Sequence, residues 1–440
     1  MKRYSEYKDS GVKWIGEIPV HWKMPRLKML TSFHNGDRSV NYPSGDDFVD
    51  DGIPFCGADS LCGLYVDLNY ARFITDKKYK LLGGFKIRKN DILYTLRGST
   101  IGKNAMALFS EGTVASSLMG IRKTTNRLIS NYLLYTLNSI CEENQRNVLI
   151  NGSTAPNLSA EDVGIFFIPL PPLPEQEAIV TYLDSKVAKI DEYISIAEKK
   201  IAALEELKQT IIAEAVTRGI HKDVPMKDSG VKWIGMIPEH WKMNSLRSYV
   251  KLYSEKNHPE KQLLSVTREM GVIVRNTESK EENHNFIPDD LSGYKLVRKG
   301  DFVINKMKSW QGSYGVSKYE GIVSPAYYVC KLKFPYNDFF SIAIRCKSYV
   351  PFFTQYSKGI RVDQWDLSPI ALKNIPFMEP PITEQQEIVT YIEAKAAKID
   401  QLCQAERSQI EKLKEYKQRL ISDVVTGKVK VTNDSLNGRV

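Results

Sequence analysis

The sequence predicts an α+β chain. Two globular mixed α/β domains are separated by two long antiparallel coiled-coil helices, arranged as an internal pseudo-twofold repeat. Three observations predict this. The string Lys8 to Met24 returns at Lys227 to Met243 with two differences, Glu17 becoming Met236 and Val20 becoming Glu239. A second block, Pro171 to Tyr182, returns as Pro380 to Tyr391. Each second block opens a long stretch with apolar residues at 3-4 spacing, whereas the segments between the blocks share little identity and are rich in short β-prone runs.

The elements follow in order. The repeated box is displaced by 219 residues and the second block by 209, so the intervening region is ten residues shorter in the second copy. This divides the chain into a first domain (1–168, with box 8–24), a first helix (169–219), a second domain (220–375, with box 227–243), a second helix (376–427) and a tail (428–440). In the domains, Asp91-Ile-Leu-Tyr-Thr-Leu96 and Asp301-Phe-Val-Ile-Asn305 read as equivalent strands, each after a basic stretch. Asn131 to Cys141 reads as a short helix.

In the first long segment Val187, Ile190, Ile194, Ile201, Leu204 and Ile211 mark one stripe. In the second, Ile399, Cys403, Ile410, Leu413, Leu420 and Val424 mark another at aligned positions. Lys208 stands where the next apolar residue is due, with Leu207 beside it, which allows for a local stutter. Glu406 and Lys417 interrupt the second stripe. Pro174, the acidic first turn, the Thr383/Gln386 spacing and the stops Gly219 and Gly427 are helix-end signals. A segment of 40–45 residues spans roughly 60–65 Å as a helix. Its single apolar stripe needs a partner, and pairing of the two helices supplies one.

Composition narrows the function. The chain has 440 residues, 42% apolar and 26% charged, with formal charge +9. No run of 18 apolar residues is present, so no membrane span is expected. Six scattered cysteines form no CxxC pair, which disfavours a zinc site and fits reduced thiols in a cytoplasm. The positive charge is local. Residues 25–150 hold 16 Lys/Arg against 12 Asp/Glu, and 244–358 hold 18 against 11. The helices hold 6 against 9 (174–218) and 7 against 8 (383–427). Two basic, unlike domains on an almost uncharged spacer suit an extended polyanion gripped at two places.

The order of blocks resembles the specificity (S) subunit of type I restriction–modification systems, over essentially the whole chain. The residues that carry the resemblance are Gly16-Glu-Ile-Pro-Val-His-Trp22 and Gly235-Met-Ile-Pro-Glu-His-Trp241, with the Pro-Pro-x-x-Glu-Gln entries Pro171 to Gln176 and Pro380 to Gln385. The resemblance implies a sequence-specific subunit that binds double-stranded DNA. Each domain is then a target recognition domain for one half of an asymmetric bipartite site, and the helices act as spacer and dock methyltransferase subunits. It implies no catalysis and no cofactor in this chain. Two methyltransferase (M) subunits using S-adenosylmethionine, and two restriction/translocase (R) subunits using ATP and Mg, are the expected partners. Half-sites one helical turn apart lie about 34 Å from each other, within the reach of such helices.

The resemblance supplies no base-contact code. Candidate DNA-binding residues are the polar and basic side chains of loops after equivalent strands: Arg97, Ser99, Thr100, Lys103 and Asn104 in the first domain, and Lys306, Lys308, Ser309, Gln311 and Tyr314 in the second. Arg361, in the loop Lys358 to Gln364, joins them, as does the loop Asn151 to Thr154. Trp310 reads equally well as core. Trp14, Trp22, Trp233 and Trp241 are expected to pin each box against a helix end, with His21 and His240 as hydrogen-bonded support. The rival classes are a DNA-modifying enzyme with its own active site and a coiled-coil scaffold. Against the first, the Pro-Pro sites lack the Asn/Asp-Pro-Pro-aromatic form of an amino-methyltransferase, and no GxGxxG, P-loop or HExxH is present. Against the second stand two large basic domains.

Overall fold

The computed structural model describes residues 3–150, 156–276, 287–359 and 365–432. The chain divides into two units, Met1–Ala197 with Ser408–Val440, and Glu198–Arg407. The divisions fall inside the long helices, so each unit holds one globular domain and one end of each helix.

In the first unit four strands build the core sheet: β1 (Thr31–Asn35), β2 (Ile92–Thr95), β3 (Asn104–Met106) and β4 (Leu118–Lys123). Their spatial order is β1-β4-β2-β3, antiparallel throughout. The pair Tyr65–Val66 and Leu61–Cys62 extends the sheet beyond β3, and four short strands form a second sheet. All four residues of β2 are buried, the signature of a strand covered on both faces. Asp91 fixes its start. The buried carboxylate accepts the Arg88 N–H at 2.6 Å and the Arg122 Nε at 2.8 Å.

After β4 the chain forms α1 (Ser130–Leu137) and α2 (Ile140–Leu149). The single helix expected over 131–141 is therefore two. Ser139 ends the first and caps the second, its Oγ accepting the Cys141 N–H at 3.3 Å, which is the competition that keeps serine out of helix interiors.

The second unit repeats the core: β5 (Val250–Tyr253), β6 (Phe302–Asn305), β7 (Tyr314–Val316) and β8 (Tyr327–Leu332), ordered β5-β8-β6-β7. Element for element this is the order of the first sheet. Asp301 repeats the role of Asp91, accepting the Arg298 N–H at 2.7 Å. Two domains with little identity thus keep one topology, because the alternation of buried and paired strands tolerates wide exchange of side chains. The helices α3 (Asn337–Arg345) and α4 (Val350–Tyr356) close the second core.

The long helices are α5 (Leu173–Arg218) and α6 (Ile382–Val425). In the first unit Val187 and Ile190 of α5 share a buried cluster with Leu420 and Val424 of α6, and Ile194 and Leu413 pack half-buried against it. Ile410 is buried as well. The Asp191–Lys417 ion pair, at 2.6 Å, lies alongside. In the second unit Ile399 and Cys403 are buried, and Ile201, Leu204 and Ile211 are half-buried. Two helices cover a seam from one side only. Here Lys208 pairs with Asp400 at 2.7 Å and Lys200 with Glu406 at 2.5 Å. At the position of the possible stutter Lys208 is half-buried. The helix runs unbroken, Lys208 turns to Asp400, and Leu207 is exposed. Such solvent-exposed pairs contribute about 0.2–1 kcal/mol each and serve register more than stability.

Candidate nucleic-acid interface

Each repeated box is fastened to helix ends by one tryptophan. Trp22 is fully buried, and its indole N–H donates to Glu175 Oε2 at 3.0 Å, in the first turn of α5. His21 Nε2 lies 2.6 Å from the other oxygen of the same carboxylate, and the Tyr4 hydroxyl donates to Oε2 at 3.0 Å. The ring also rests at Gly427, just past the end of α6. The second unit repeats this. Trp241 Nε1 donates to Glu384 Oε2 at 2.9 Å, His240 bonds the same carboxylate, and Gly219 after α5 abuts the ring.

The glutamine of each Pro-Pro-x-x-Glu-Gln entry is buried and donates back to the first proline's carbonyl, Gln176 to Pro171 at 2.9 Å and Gln385 to Pro380 at 2.7 Å. The repeated His, Trp, Glu and Gln are therefore joinery. Trp14 and Trp233 do not take this role: both are 38% exposed.

Gly219 and Gly427 both have φ +74°, a conformation that strains any other residue. They differ in space. A Cβ at Gly427 would lie 2.4 Å from Pro19 Cδ, whereas at Gly219 the nearest atom is Trp241 Cζ2 at 3.3 Å. We expect Gly427→Ala to destabilise by about 1–3 kcal/mol more than Gly219→Ala, as overpacking adds to backbone strain. Urea denaturation of the two variants measures this, and equal losses would refute it.

The candidate loops divide into exposed and interior residues. Arg97, Ser99, Thr100 and Lys103 are exposed on a turn fixed by the Gly102 N–H to Thr95 carbonyl bond at 3.0 Å. Asn104 is buried and spends its amide on the Gly102 and Leu137 carbonyls, both at 3.0 Å. In the second unit Lys308 is exposed and Gln311 half-buried, while Lys306 is half-buried and pairs with Asp366 at 2.8 Å. Ser309 is fully buried against Ser357. Tyr314 is fully buried and stacks on Phe353 with ring centroids 3.8 Å apart. In this conformation no base edge reaches Asn104, Ser309 or Tyr314; they are core and turn supports. Trp310 is half-buried, its ring 5.3 Å from that of Trp365. Arg361 and the loop Asn151 to Thr154 lie outside the described residues.

Residues 19–206 match the family model of the type I restriction modification DNA specificity domain. The chain is similar along 97% of its length to the putative type I restriction enzyme MjaX specificity subunit of Methanocaldococcus jannaschii, at 24% identity and over 98% of that protein. It is also similar to the MjaVIII specificity subunit of the same organism, 23% identical over 79% of this chain and 81% of that one. The fold matches a chain solved in work on complex assembly and conformational transition of the type I R-M system, with TM-score 0.66 and 16% identity over 94% of this chain and 99% of that chain.

Among the described residues no group of three or more His, Cys, Asp or Glu could hold a metal ion, and no helix is long and apolar enough to cross a membrane. Leu264–Val274, where the sequence analysis places no element, forms a hairpin beside the Lys306–Tyr314 loop. Alternation around a turn, with Gly271 after it, was the available signal.

Proposed function

We propose that this chain is the DNA-binding specificity subunit of a type I restriction–modification complex. Each domain reads one half of an asymmetric bipartite site in double-stranded DNA, and the paired helices set the spacing and dock methyltransferase subunits. The observation that carries the reading is the doubled core. Two sheets whose four core strands share one order are each fastened to helix ends by the same tryptophan–glutamate joint, while the loops between equivalent strands differ at most positions. Equal anchoring suits equivalent partners. Unequal loops suit unequal half-sites, since a symmetric site needs like surfaces.

On this reading the chain performs no chemistry. S-adenosylmethionine, ATP and Mg belong to two methyltransferase and two restriction/translocase subunits. With labelled S-adenosylmethionine and DNA, the chain alone transfers no methyl group, and adding the methyltransferase subunit switches transfer on. Sequencing the methylated bases then gives the bipartite motif. Transfer by this chain alone would overturn the proposal.

The candidates that are not buried keep a testable role. Arg97→Ala and Gln311→Ala each weaken cognate binding by about 1–3 kcal/mol, the worth of one good base contact, and weaken binding to scrambled DNA less. Competition binding decides; equal loss on both duplexes assigns the residue to phosphate contact instead.

A further inference from the structure

The hairpin Leu264–Thr267 with Gly271–Val274 projects a three-residue tip, Arg268-Glu269-Met270. Met270 is 68% exposed, and the side chains of Arg268 and Glu269 are 70% and 74% exposed. The turn makes hydrogen bonds of its own, the Met270 N–H donating to Thr267 Oγ1 at 3.1 Å and that hydroxyl to the Gly271 carbonyl at 3.3 Å. The guanidinium of Arg345, the last residue of α3, also crosses to it. It donates to the carbonyls of Arg268 at 3.0 Å, Glu269 at 2.8 Å and Tyr314 at 2.6 Å. Two glycines make room. A Cβ at Gly271 would stand 2.9 Å from Arg345 Nη1, and one at Gly315 would stand 3.3 Å from Gly271 Cα. Burial pulls the Arg345 guanidinium below its ordinary pKa, so the clamp is made at an electrostatic cost.

In front of the tip lies a groove of about 920 Å³. Gln311, Lys318 and Lys347 line it together with the tip. Cations predominate; the tip carboxylate, Glu269 Oε1, lies 3.8 Å from Arg268 Nε.

We propose that the Arg268–Met270 tip is a specificity-determining element for the half-site read by the second unit, with Arg345 as its positioning residue. The proposal rests on the reading of this chain as a DNA specificity subunit. Reading a base edge needs a side chain held in place before DNA arrives, and a turn clamped through its carbonyls loses little freedom on binding. Arg268 matches the two acceptors on the major-groove edge of guanine, and Met270 offers an apolar contact to a thymine methyl or a wedge between base steps. Lys318 and Lys347 suit flanking phosphates.

The test uses the full chain reconstituted with its methyltransferase subunit. The methylated motif is sequenced, and competition binding compares cognate with scrambled duplex. Arg268→Ala/Met270→Ala, on an exposed turn, is expected to lower cognate affinity about tenfold or more and to relax bases of one half-site only. Arg345→Met is expected to relax the same bases and to add nothing in the Arg268→Ala/Met270→Ala background. A clamp that only stabilised the fold would cost the same in both backgrounds. An unchanged motif and affinity ratio in the tip variant overturns the proposal, as does weakened complex assembly with an unchanged motif, which would assign the groove to a protein partner. If Arg345→Met fails to fold, the tip variant alone decides. A wild-type complex with no base preference would instead sink the specificity reading itself.

Discussion

Trp22→Ala is expected to destabilise the first unit by about 3–5 kcal/mol, the range for truncating a buried large aromatic. Trp22 is fully buried and joins three elements that are far apart in sequence: the box, the start of α5 at Glu175 and the end of α6 at Gly427. Alanine leaves a cavity between the two helix ends and removes one of the donors from Glu175. Trp22→Phe keeps most of the packing but loses the indole N–H and part of the ring, so it should cost less, about 1–3 kcal/mol. Trp241→Ala is the equivalent lesion in the second unit. Urea unfolding gives the size. Hydrogen exchange gives the place, with Trp22→Ala loosening β2 and β4 and Trp241→Ala loosening β6 and β8. A Trp22→Ala protein as stable as wild type would remove the joint from the account of the fold.

The second large effect is a pH dependence from Glu142. This residue of α2 is buried, accepts from the Tyr94 hydroxyl and takes the Arg146 Nε at 3.0 Å. Burial pushes its pKa up to about 7 from 4.5, against the lowering effects of Tyr94 and Arg146. The folded state thus holds this proton more tightly than the unfolded chain. Its contribution is fully present below pH 4.5 and is lost as pH rises through about 7. At about 1.4 kcal/mol per unit, the loss between the two limits is at most about 3–4 kcal/mol. Glu142→Gln keeps an acceptor for Tyr94 without the charge. It should flatten this part of the profile and equal or exceed wild-type stability at pH 8. Asp37 and Asp47 are lowered by hydrogen bonds from Ser39 and Ser44, so their contributions run in the opposite sense and cancel when variant and wild type are subtracted. Unfolding midpoints at pH 4.5, 6 and 8 are the measurement. Parallel profiles for the two proteins would show that Glu142 does not carry the effect.

Legibility followed the range of the interactions. The strands after Asp91 and Asp301 were readable because a fully buried strand is a short continuous apolar run. The long helices were readable because their stripe repeats for a dozen turns. The break at Asn138-Ser139 was not, since it depends on one serine choosing the backbone over the helix. Among the candidate readers, Arg97 and Lys308 lie on the surface, but Asn104 and Tyr314, chosen by the same loop logic, are interior. Residue type and loop position do not encode which way a side chain turns. The Arg345 clamp was beyond reach altogether: it joins residues 76 and 77 positions apart to the hairpin tip through main-chain carbonyls, which leave no mark on the sequence.

By itself the sequence determined the duplication, the order of box, domain and helix, the seam of both helices and the excess of positive charge on the two unlike domains. These are local or periodic properties, and repetition preserves them whatever the chain packs against. Only the tertiary structure decided that the divergent domains share one strand order, that Lys208 keeps its place in the seam by reaching Asp400, and that the repeated tryptophans of His21-Trp22 and His240-Trp241 bind a helix-start glutamate rather than a ligand. Those outcomes turn on burial and pairing between segments from tens to almost two hundred residues apart, where the free energy of a side chain is set by its neighbours in space.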